Sequence, residues 1–298
     1  MPYNLPKVSV CLFIRDTYNG AFCLFESMAM LMEIADEFIV YDLGSTDGTL
    51  EELQNLAAIN KKIRIVQGKF FKDDVERLAQ REKLFAQRAN EVIAMCRNNL
   101  VLYYQADEIW HEDLMEVLKR ELHTLSLGIK PSWPGFSFLR YQLQENFQKI
   151  KWWPHVVNRL DLKTRMNYVG DGMGTDRTFD AKLVGDYPNC EWEKQFGKTP
   201  TNMPLHHMIL DVSMTGGFLE NITTRRRLHA PLWNEDPNTL YGVDGGSANL
   251  EEWMERQRQN PNWTKPESPF AIPEIMRYHV GKTKYELRQD VFERIANG

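Results

Sequence analysis

Apolar and polar positions alternate in blocks over about the first 120 residues, and the blocks predict strands and helices in turn. Short, nearly continuous apolar runs are typical of strands buried on both faces. Four such runs occur, at residues 7–14, 37–42, 63–67 and 100–104. The segments between them carry apolar residues at helical spacing, most clearly over residues 21–35 and 78–96. This alternation predicts an α/β fold with a parallel sheet and right-handed crossovers.

The pattern becomes less regular after residue 121. Strands are expected at residues 131–141 and 154–160, whereas helices separated by loops are expected near the C-terminal end. We therefore divide the chain into a first domain, residues 1–215, and a helical C-terminal extension, residues 216–298.

Composition narrows the class of protein. The chain has 298 residues, of which 43% are hydrophobic, and a formal net charge of −5, so it is expected to fold and to bind neither nucleic acids nor anionic membranes broadly. It contains no apolar run of about 18 residues, the length that a membrane-spanning helix needs. The first residues lack a signal-peptide layout, and the four cysteines lack metal-type spacing. These features predict a cytoplasmic protein with reduced thiols.

Polar residues follow three of the predicted strands. Arg15 and Asp16 end the first strand, Asp42 ends the second, and Asp107 with Glu108 follows the fourth. Ligands of an open parallel sheet bind outside the carboxyl ends of its strands. Carboxylates gathered there repel one another unless a cation or a donor-rich ligand lies between them. A divalent metal that holds a diphosphate would relieve this repulsion.

Four segments resemble, in order, the landmarks of glycosyltransferase family 2, including its lipopolysaccharide-core-type members. They are VSVCLFIRD at 8–16, IVYDLGSTDGT at 39–49, RAN at 88–90 and YQADE at 104–108. The resemblance implies a GT-A fold, a mostly parallel Rossmann-like sheet flanked by helices. It also implies a nucleotide-binding half at residues 1–125 and an acceptor-side half at residues 126–215.

The resemblance assigns roles to residues at the strand ends. Ile14 and Arg15 would contact the base or ribose of a nucleotide sugar, and Asp42 would accept a hydrogen bond from the base, commonly uracil. Asp107 would bind Mn²⁺ or Mg²⁺ that bridges the donor diphosphate.

Other members of the matching segments have alternative roles. Ser45 and Asp47 belong to the same nucleotide-binding element, although Asp47 is also a preferred helix-cap residue. Arg88 would either lie near the phosphates or be the buried partner of a carboxylate.

The metal motif departs from the family pattern, which is usually Asp-Xaa-Asp, because Gln105 replaces the first acid. Glutamine keeps a hydrogen-bonding oxygen without the charge, so it could orient ribose or a metal-bound water. Glu108 would supply the missing charge. A histidine can complete the metal shell in this fold, and we favour His206 or His207 over His279.

A later acid would deprotonate the acceptor hydroxyl. We choose Asp176, because the glycine-rich segment 168–175 precedes it. Other acids in the same region remain open as alternatives. They are Asp171, Asp186, Glu191 and Glu193.

These expectations together predict a glycosyltransferase that moves a sugar from a nucleotide-diphosphate sugar, with UDP favoured, to an acceptor hydroxyl with inversion and metal assistance. The acceptor would be a glycan, a lipid-linked glycan or another hydroxyl compound, and the acidic charge disfavours nucleic acid. A catalytically inactive nucleotide-binding module is the main alternative. A nucleotidyltransferase ranks lower, because only Gly20 occurs where its phosphate-binding glycine-rich loop would follow the first strand.

Overall fold

The computed structural model of the chain describes a long N-terminal part and several shorter segments. The described residues are 3–20, 22–70, 81–127, 136–144, 149–150, 155–164, 166, 168–169, 182–183, 208–214, 272–279 and 285–298.

One large sheet and a small two-stranded sheet contain the described strands. The strands are β1 (Val8–Ile14), β2 (Glu37–Asp42), β3 (Ile63–Gln67), β4 (Leu100–Tyr103), β5 (Glu108–Trp110), β6 (Phe136–Gln144), β7 (Lys149–Ile150), β8 (His155–Leu162), β9 (Tyr168–Val169), β10 (Lys182–Leu183) and β11 (Met208–Met214). The helices are α1 (Leu24–Leu31), α2 (Thr49–Ile59), α3 (Arg81–Met95), α4 (Glu112–Ser126) and α5 (Gln289–Asn297), with a 3-10 helix at Glu274–His279.

The large sheet has the strand order β3-β2-β1-β4-β8-β6-β11-β5, and β7 pairs with β6. The first four strands are mutually parallel. Because β8 is antiparallel to both β4 and β6, and β11 is parallel to β6, the strands β6 and β11 run in the same direction as the first four. The sheet is thus mixed but mostly parallel, and the α/β class predicted from the sequence is confirmed.

The strand order places a topological switch point between β1 and β4. The chain winds from β1 through β2 to β3, and then returns through α3 to β4 on the other side of β1. Ile14 at the end of β1 pairs with Asp42, and Cys11 pairs with Tyr103. The carboxyl ends of β1, β2 and β4 therefore share one edge of the sheet, where ligands of such folds bind.

Apolar side chains cover both faces of the parallel strands. Val10 and Leu12 of β1 pack with the core that includes α1 and α2, whereas Cys11 packs with the core that includes α3. All seven strand residues except Phe13 are buried. Burial on both faces explains why the strand sequence is apolar throughout instead of alternating.

The C-terminal residues pack against the N-terminal helices. The Tyr285 hydroxyl donates to Glu26 Oε2 at 2.9 Å, and His279 Nε2 lies 2.6 Å from Glu26 Oε1. Asn60 donates through Nδ2 to the carbonyl of Ile295 at 2.7 Å.

The boundary expected between residues 215 and 216 lies outside the described residues. In the described part of the chain, no helix is long and apolar enough to cross a membrane.

Candidate functional site

Asp42 ends β2 at the edge formed by the carboxyl ends of the parallel strands, and it is 1% exposed. Its Oδ1 accepts hydrogen bonds from the backbone N–H groups of Gly44 and Ser45, each at 3.0 Å. Its Oδ2 is buried, and no group among the described residues donates to it. Buried polar atoms are nearly always hydrogen-bonded, so this oxygen is an exception that requires an explanation.

The loop after β2 has the conformation that brings these donors to Asp42. Gly44 has φ +95°, in the left-handed region that favours glycine, and a Cβ there would meet no atom closer than 4.0 Å. The loop thus folds back over the strand end, and its amide groups hold one carboxylate oxygen in place.

Asp16 follows β1 and contacts the same loop. Its backbone N–H donates to Ser45 Oγ at 2.9 Å, and its Oδ1 accepts from the Thr46 N–H at 2.7 Å. Arg15, which is exposed, donates through Nε to Asp16 Oδ2 at 3.3 Å. Ile14 is 3% exposed and packs in the core, so only its backbone lies near this edge.

Asp47 connects the start of α2 to the loop after β1. Its Oδ1 accepts from the Thr49 N–H at 3.1 Å, and its Oδ2 accepts from the Asn19 N–H at 2.8 Å. The Thr49 hydroxyl accepts in turn from the N–H groups of Thr17 and Tyr18. The N-cap residue of α2 is Gly48, so Asp47 is not the cap itself but lies one residue before it and accepts from the first N–H of the helix. Burial, together with nearby Glu52, raises the pKa of Tyr18.

Asp107 lies in a turn after β4 that Glu108 closes. Glu108 is fully buried, and its Oε2 accepts from the Gln105 N–H at 3.0 Å. Arg159 binds the same carboxylate through Nη2 at 2.6 Å and Nε at 3.1 and 3.2 Å. The metal role expected for Glu108 has no support in this geometry, because its charge is compensated by a buried guanidinium. The pair instead holds the turn that carries Asp107, which is half-buried.

Arg88 is placed as in one of its two alternatives, a buried partner of a carboxylate. Its side chain is fully buried in α3 and donates to the carbonyl of Phe70 through Nε at 3.2 Å and Nη2 at 2.8 Å. Nη1 donates to Glu91 Oε1 at 2.8 Å.

The described residues do not by themselves fit a divalent-metal site. No group of three or more histidine, cysteine or acidic residues with suitable geometry occurs among them. Asp107 is one candidate ligand, and Glu108 is bound to Arg159. The candidate ligands His206 and His207 lie outside the described residues, as does the candidate base Asp176.

The four alternative bases also lie outside the described residues. His279, the alternative histidine ligand, is fully buried next to Glu26 of α1. It is therefore part of the contact between the C-terminal segment and α1.

The structure adds two residues to those predicted from the sequence, Asp16 and Arg159. Asp16 was visible as a polar residue at a strand end, but its contacts reach a loop 30 residues away. Arg159 lies 51 residues from Glu108, and no motif joins the two.

Comparison with known proteins gives structural similarity without sequence similarity. No family model matches the chain, and no curated protein matches it. Solved structures of glycosyltransferases are similar over part of the fold. The mannosyltransferase PcManGT from Pyrobaculum calidifontis, in complex with GDP-Man and Mn²⁺, is 13% identical with a TM-score of 0.37, and the match covers 88% of this chain and 74% of that chain.

Residues 1–349 of S. aureus TarS are 12% identical with a TM-score of 0.36, over 78% of this chain and 66% of that chain. Another TarS structure is matched over only 22% of its length. Glucosyl-3-phosphoglycerate synthase from Mycobacterium tuberculosis, in complex with Mn²⁺, UDP and its product, is 20% identical with a TM-score of 0.27, over 47% of this chain and 44% of that chain.

Proposed function

We propose that the chain is a nucleotide-sugar glycosyltransferase of the GT-A type, with Asp42 as the residue that recognises the base. The observation that carries this proposal is the buried Oδ2 of Asp42, which has no donor among the described residues although Oδ1 has two. A ligand N–H would provide the missing donor. A uracil base offers such an N–H at N3, so UDP, the nucleotide that the family resemblance favours, meets this requirement, as do other bases with an N–H donor.

The position of Asp42 supports a nucleotide over an arbitrary ligand. It lies on the strand next to β1, and β1 borders the switch point where open α/β sheets bind nucleotides. Exposed Arg15 follows β1 at the same edge and would approach the base or the ribose. The turn that holds Asp107 follows β4, the neighbour of β1 on the other side. A ligand that lies across β1 would thus have its base near Asp42 and its diphosphate near Asp107.

The proposed reaction is a displacement at the anomeric carbon. The acceptor oxygen forms a bond to that carbon, the bond from carbon to the diphosphate oxygen breaks, and a carboxylate takes the acceptor proton. Asp176 is our candidate for that carboxylate, and inversion is the expected outcome. The acceptor is proposed only as a hydroxyl compound, and a cytoplasmic location stays a prediction.

Metal assistance is proposed with Asp107 as one ligand. Further ligands would have to come from the donor diphosphate or from residues outside the described part, such as His206 and His207. When bound, Mn²⁺ or Mg²⁺ would neutralise charge on the departing nucleoside diphosphate.

A nucleotide-binding module without transfer activity is the second candidate. It is favoured by the neutral Gln105 and by the absence of a three-ligand acidic or histidine cluster among the described residues. The base-recognition proposal for Asp42 is common to both candidates.

The test is a panel of UDP, GDP and their glucose and mannose conjugates, each with Mn²⁺ or with EDTA. A nucleotide at 100 times its dissociation constant should stabilise the fold by about 2.7 kcal/mol. Release of nucleoside diphosphate from the sugar conjugate, measured with sugar acceptors, separates a transferase from an inactive module.

An Asp107→Asn variant should lose this release and keep its melting temperature. Asp113→Asn, which alters an exposed acid in the first turn of α4, should keep the release and lower the melting temperature only slightly. No stabilisation by any nucleotide in the panel would contradict the proposed function.

A further inference from the structure

We propose that Asp16 is a positioning residue, which holds the loop after β2 so that Asp42 presents its unpaired oxygen to the nucleotide base. This inference rests on the proposed function. It adds to that function a residue that touches no substrate and acts through the loop residues Ser45 and Thr46.

Ser45 connects the two aspartates through two different atoms. Its Oγ accepts the backbone N–H of Asp16 at 2.9 Å, and its own N–H donates to Asp42 Oδ1 at 3.0 Å. A displacement of Ser45 would therefore remove one of the two donors that fix Oδ1. Because both oxygens belong to one planar carboxylate, the direction of Oδ2 depends on how Oδ1 is held.

The side chain of Asp16 also binds this loop. Oδ1 accepts from the Thr46 N–H at 2.7 Å and from the Thr46 hydroxyl at 3.3 Å. The backbone and the side chain of one residue thus bind two consecutive loop residues. This arrangement fixes both the distance and the orientation of the loop relative to the end of β1.

The backbone of Asp16 is in an unfavourable conformation. Its φ is +50°, in the left-handed region that costs an L-residue about 1–2 kcal/mol, although aspartate and asparagine visit it more readily than others. Such outliers persist where surrounding contacts hold them, and they cluster at functional sites. At Asp16 the backbone is held by the contacts with the loop that presents Asp42 and by the Gly20 N–H, which donates to the Asp16 carbonyl at 3.0 Å.

Asp16 is a poor candidate for a ligand-binding group itself. It is 2% exposed, its Oδ1 has two donors from Thr46, and its Oδ2 accepts from Arg15. Asp42, in contrast, has one carboxylate oxygen for which no described residue is a donor.

The test measures UDP affinity by isothermal titration calorimetry, and melting temperature, for three variants at position 16. Asp16→Gly removes the carboxylate and relieves the left-handed backbone, Asp16→Ala removes the carboxylate and keeps the strain, and Asp16→Asn keeps an acceptor oxygen. We expect Asp16→Gly and Asp16→Ala to bind UDP about tenfold more weakly, the effect of one lost hydrogen bond to a charged group. Asp16→Asn should restore affinity to within about twofold of the unmodified chain, because its oxygen can still accept from Thr46.

Asp36→Ala is the matched control. The Asp36 Oδ2 accepts the backbone N–H of Val8 at 2.9 Å, so it caps the opposite end of β1 in a comparable way. This variant should lower the melting temperature without changing UDP affinity.

If Asp16→Ala fails to fold, Asp16→Gly and Asp16→Asn still decide the question. Unchanged affinity in Asp16→Gly would overturn the inference, and so would an Asp16→Asn variant as weak as Asp16→Gly. If the unmodified chain bound no nucleotide, the proposed function itself would fail, and this result is distinct from unchanged affinity in a variant.

Discussion

Strand β2 carries a buried carboxylate at each end, and the two carboxylates differ in how many of their oxygens accept hydrogen bonds. Glu37, at the amino end, is 5% exposed, and its Oε2 accepts from the Ser9 hydroxyl and from the Arg97 N–H, both at 2.8 Å. Its Oε1 accepts from Arg64 at 3.3 Å. Asp42, at the carboxyl end, is 1% exposed, and one of its oxygens has no described donor.

This difference shows that a buried acid is not by itself evidence of a ligand-binding site. At the amino edge, Glu37 connects β2 with β1, β3 and the loop after α3, and both of its oxygens have partners. At the carboxyl edge, two backbone N–H groups hold Asp42 Oδ1, whereas Oδ2 is left for a donor from outside the described residues. Two features together mark the candidate site. Asp42 lies at the edge where parallel sheets bind ligands, and one of its buried oxygens lacks a hydrogen-bond donor among the described residues.

The largest expected effect on stability comes from the amino edge. Glu37→Ala should lower the free energy of unfolding by about 2 kcal/mol, because it leaves the buried Ser9 hydroxyl and the Arg97 N–H without their acceptor. Urea denaturation measures this change, and Glu37→Gln, which keeps an acceptor, should lose less. UDP affinity should stay the same. A clear loss of affinity would contradict the claim that only the carboxyl edge of the sheet binds the nucleotide.

Two glycines of the loop after β2 offer a smaller and more selective test. Gly44 has φ +95° and Gly48 has φ +94°, and a Cβ at either meets no atom closer than 4.0 Å. Alanine at each should therefore cost about 1 kcal/mol of stability through backbone conformation alone.

Of these two glycines, Gly44 is the one whose N–H donates to the Asp42 carboxylate. Alanine keeps this N–H but shifts its position, so Gly44→Ala, unlike Gly48→Ala, should also weaken UDP binding. Titration of both variants with UDP checks this expectation. Equal affinities in the two variants would show that the loop conformation near Asp42 does not matter for binding.

The smallest effect is a change in the acid stability of the fold. Burial alone would raise the pKa of Glu37, but hydrogen bonds from Arg97, Ser9 and Arg64 outweigh it and lower the pKa from its ordinary value of 4.5. A folded-state pKa below the unfolded value contributes stability that is present above the unfolded pKa and is lost as pH falls through the folded pKa. The melting temperature of Glu37→Gln should thus fall less steeply than that of the unmodified chain as pH decreases below 4.5. Parallel curves would contradict this role of Glu37.

The sequence predicts the parallel strands well and the contacts between distant loops poorly. The run of residues 37–42 identifies β2 to the residue, because a strand buried on both faces is apolar along most of its length. The predicted bounds of β3 are also correct, although only Ile63 of that strand is buried. The short strand β5 has only three residues, too few to show a period, and it is absent from the predicted elements. Helix α4 has a clear apolar stripe, but it too is absent from them.

The candidate site is also predicted only in part, because strands can be recognised in the sequence whereas contacts between distant segments cannot. Asp42 stands out because it ends a recognisable strand. The partners of Asp16 and Glu108 come from segments 30 and 51 residues away, and spacing along a chain does not encode such pairings. The ion pair between Glu108 and Arg159, which opposes the metal role expected for Glu108, therefore could not be predicted from the sequence.

The central claim is that Asp42 Oδ2 accepts a hydrogen bond from a nucleotide base, and Asp42→Asn tests it most directly. Asparagine keeps an oxygen to accept from Gly44 and Ser45 but replaces Oδ2 with an NH₂ donor. Isothermal titration calorimetry should show UDP binding weakened by about 10- to 100-fold, the range for a lost hydrogen bond to a charged group, with little change in melting temperature. UDP affinity equal to that of the unmodified chain would contradict the account.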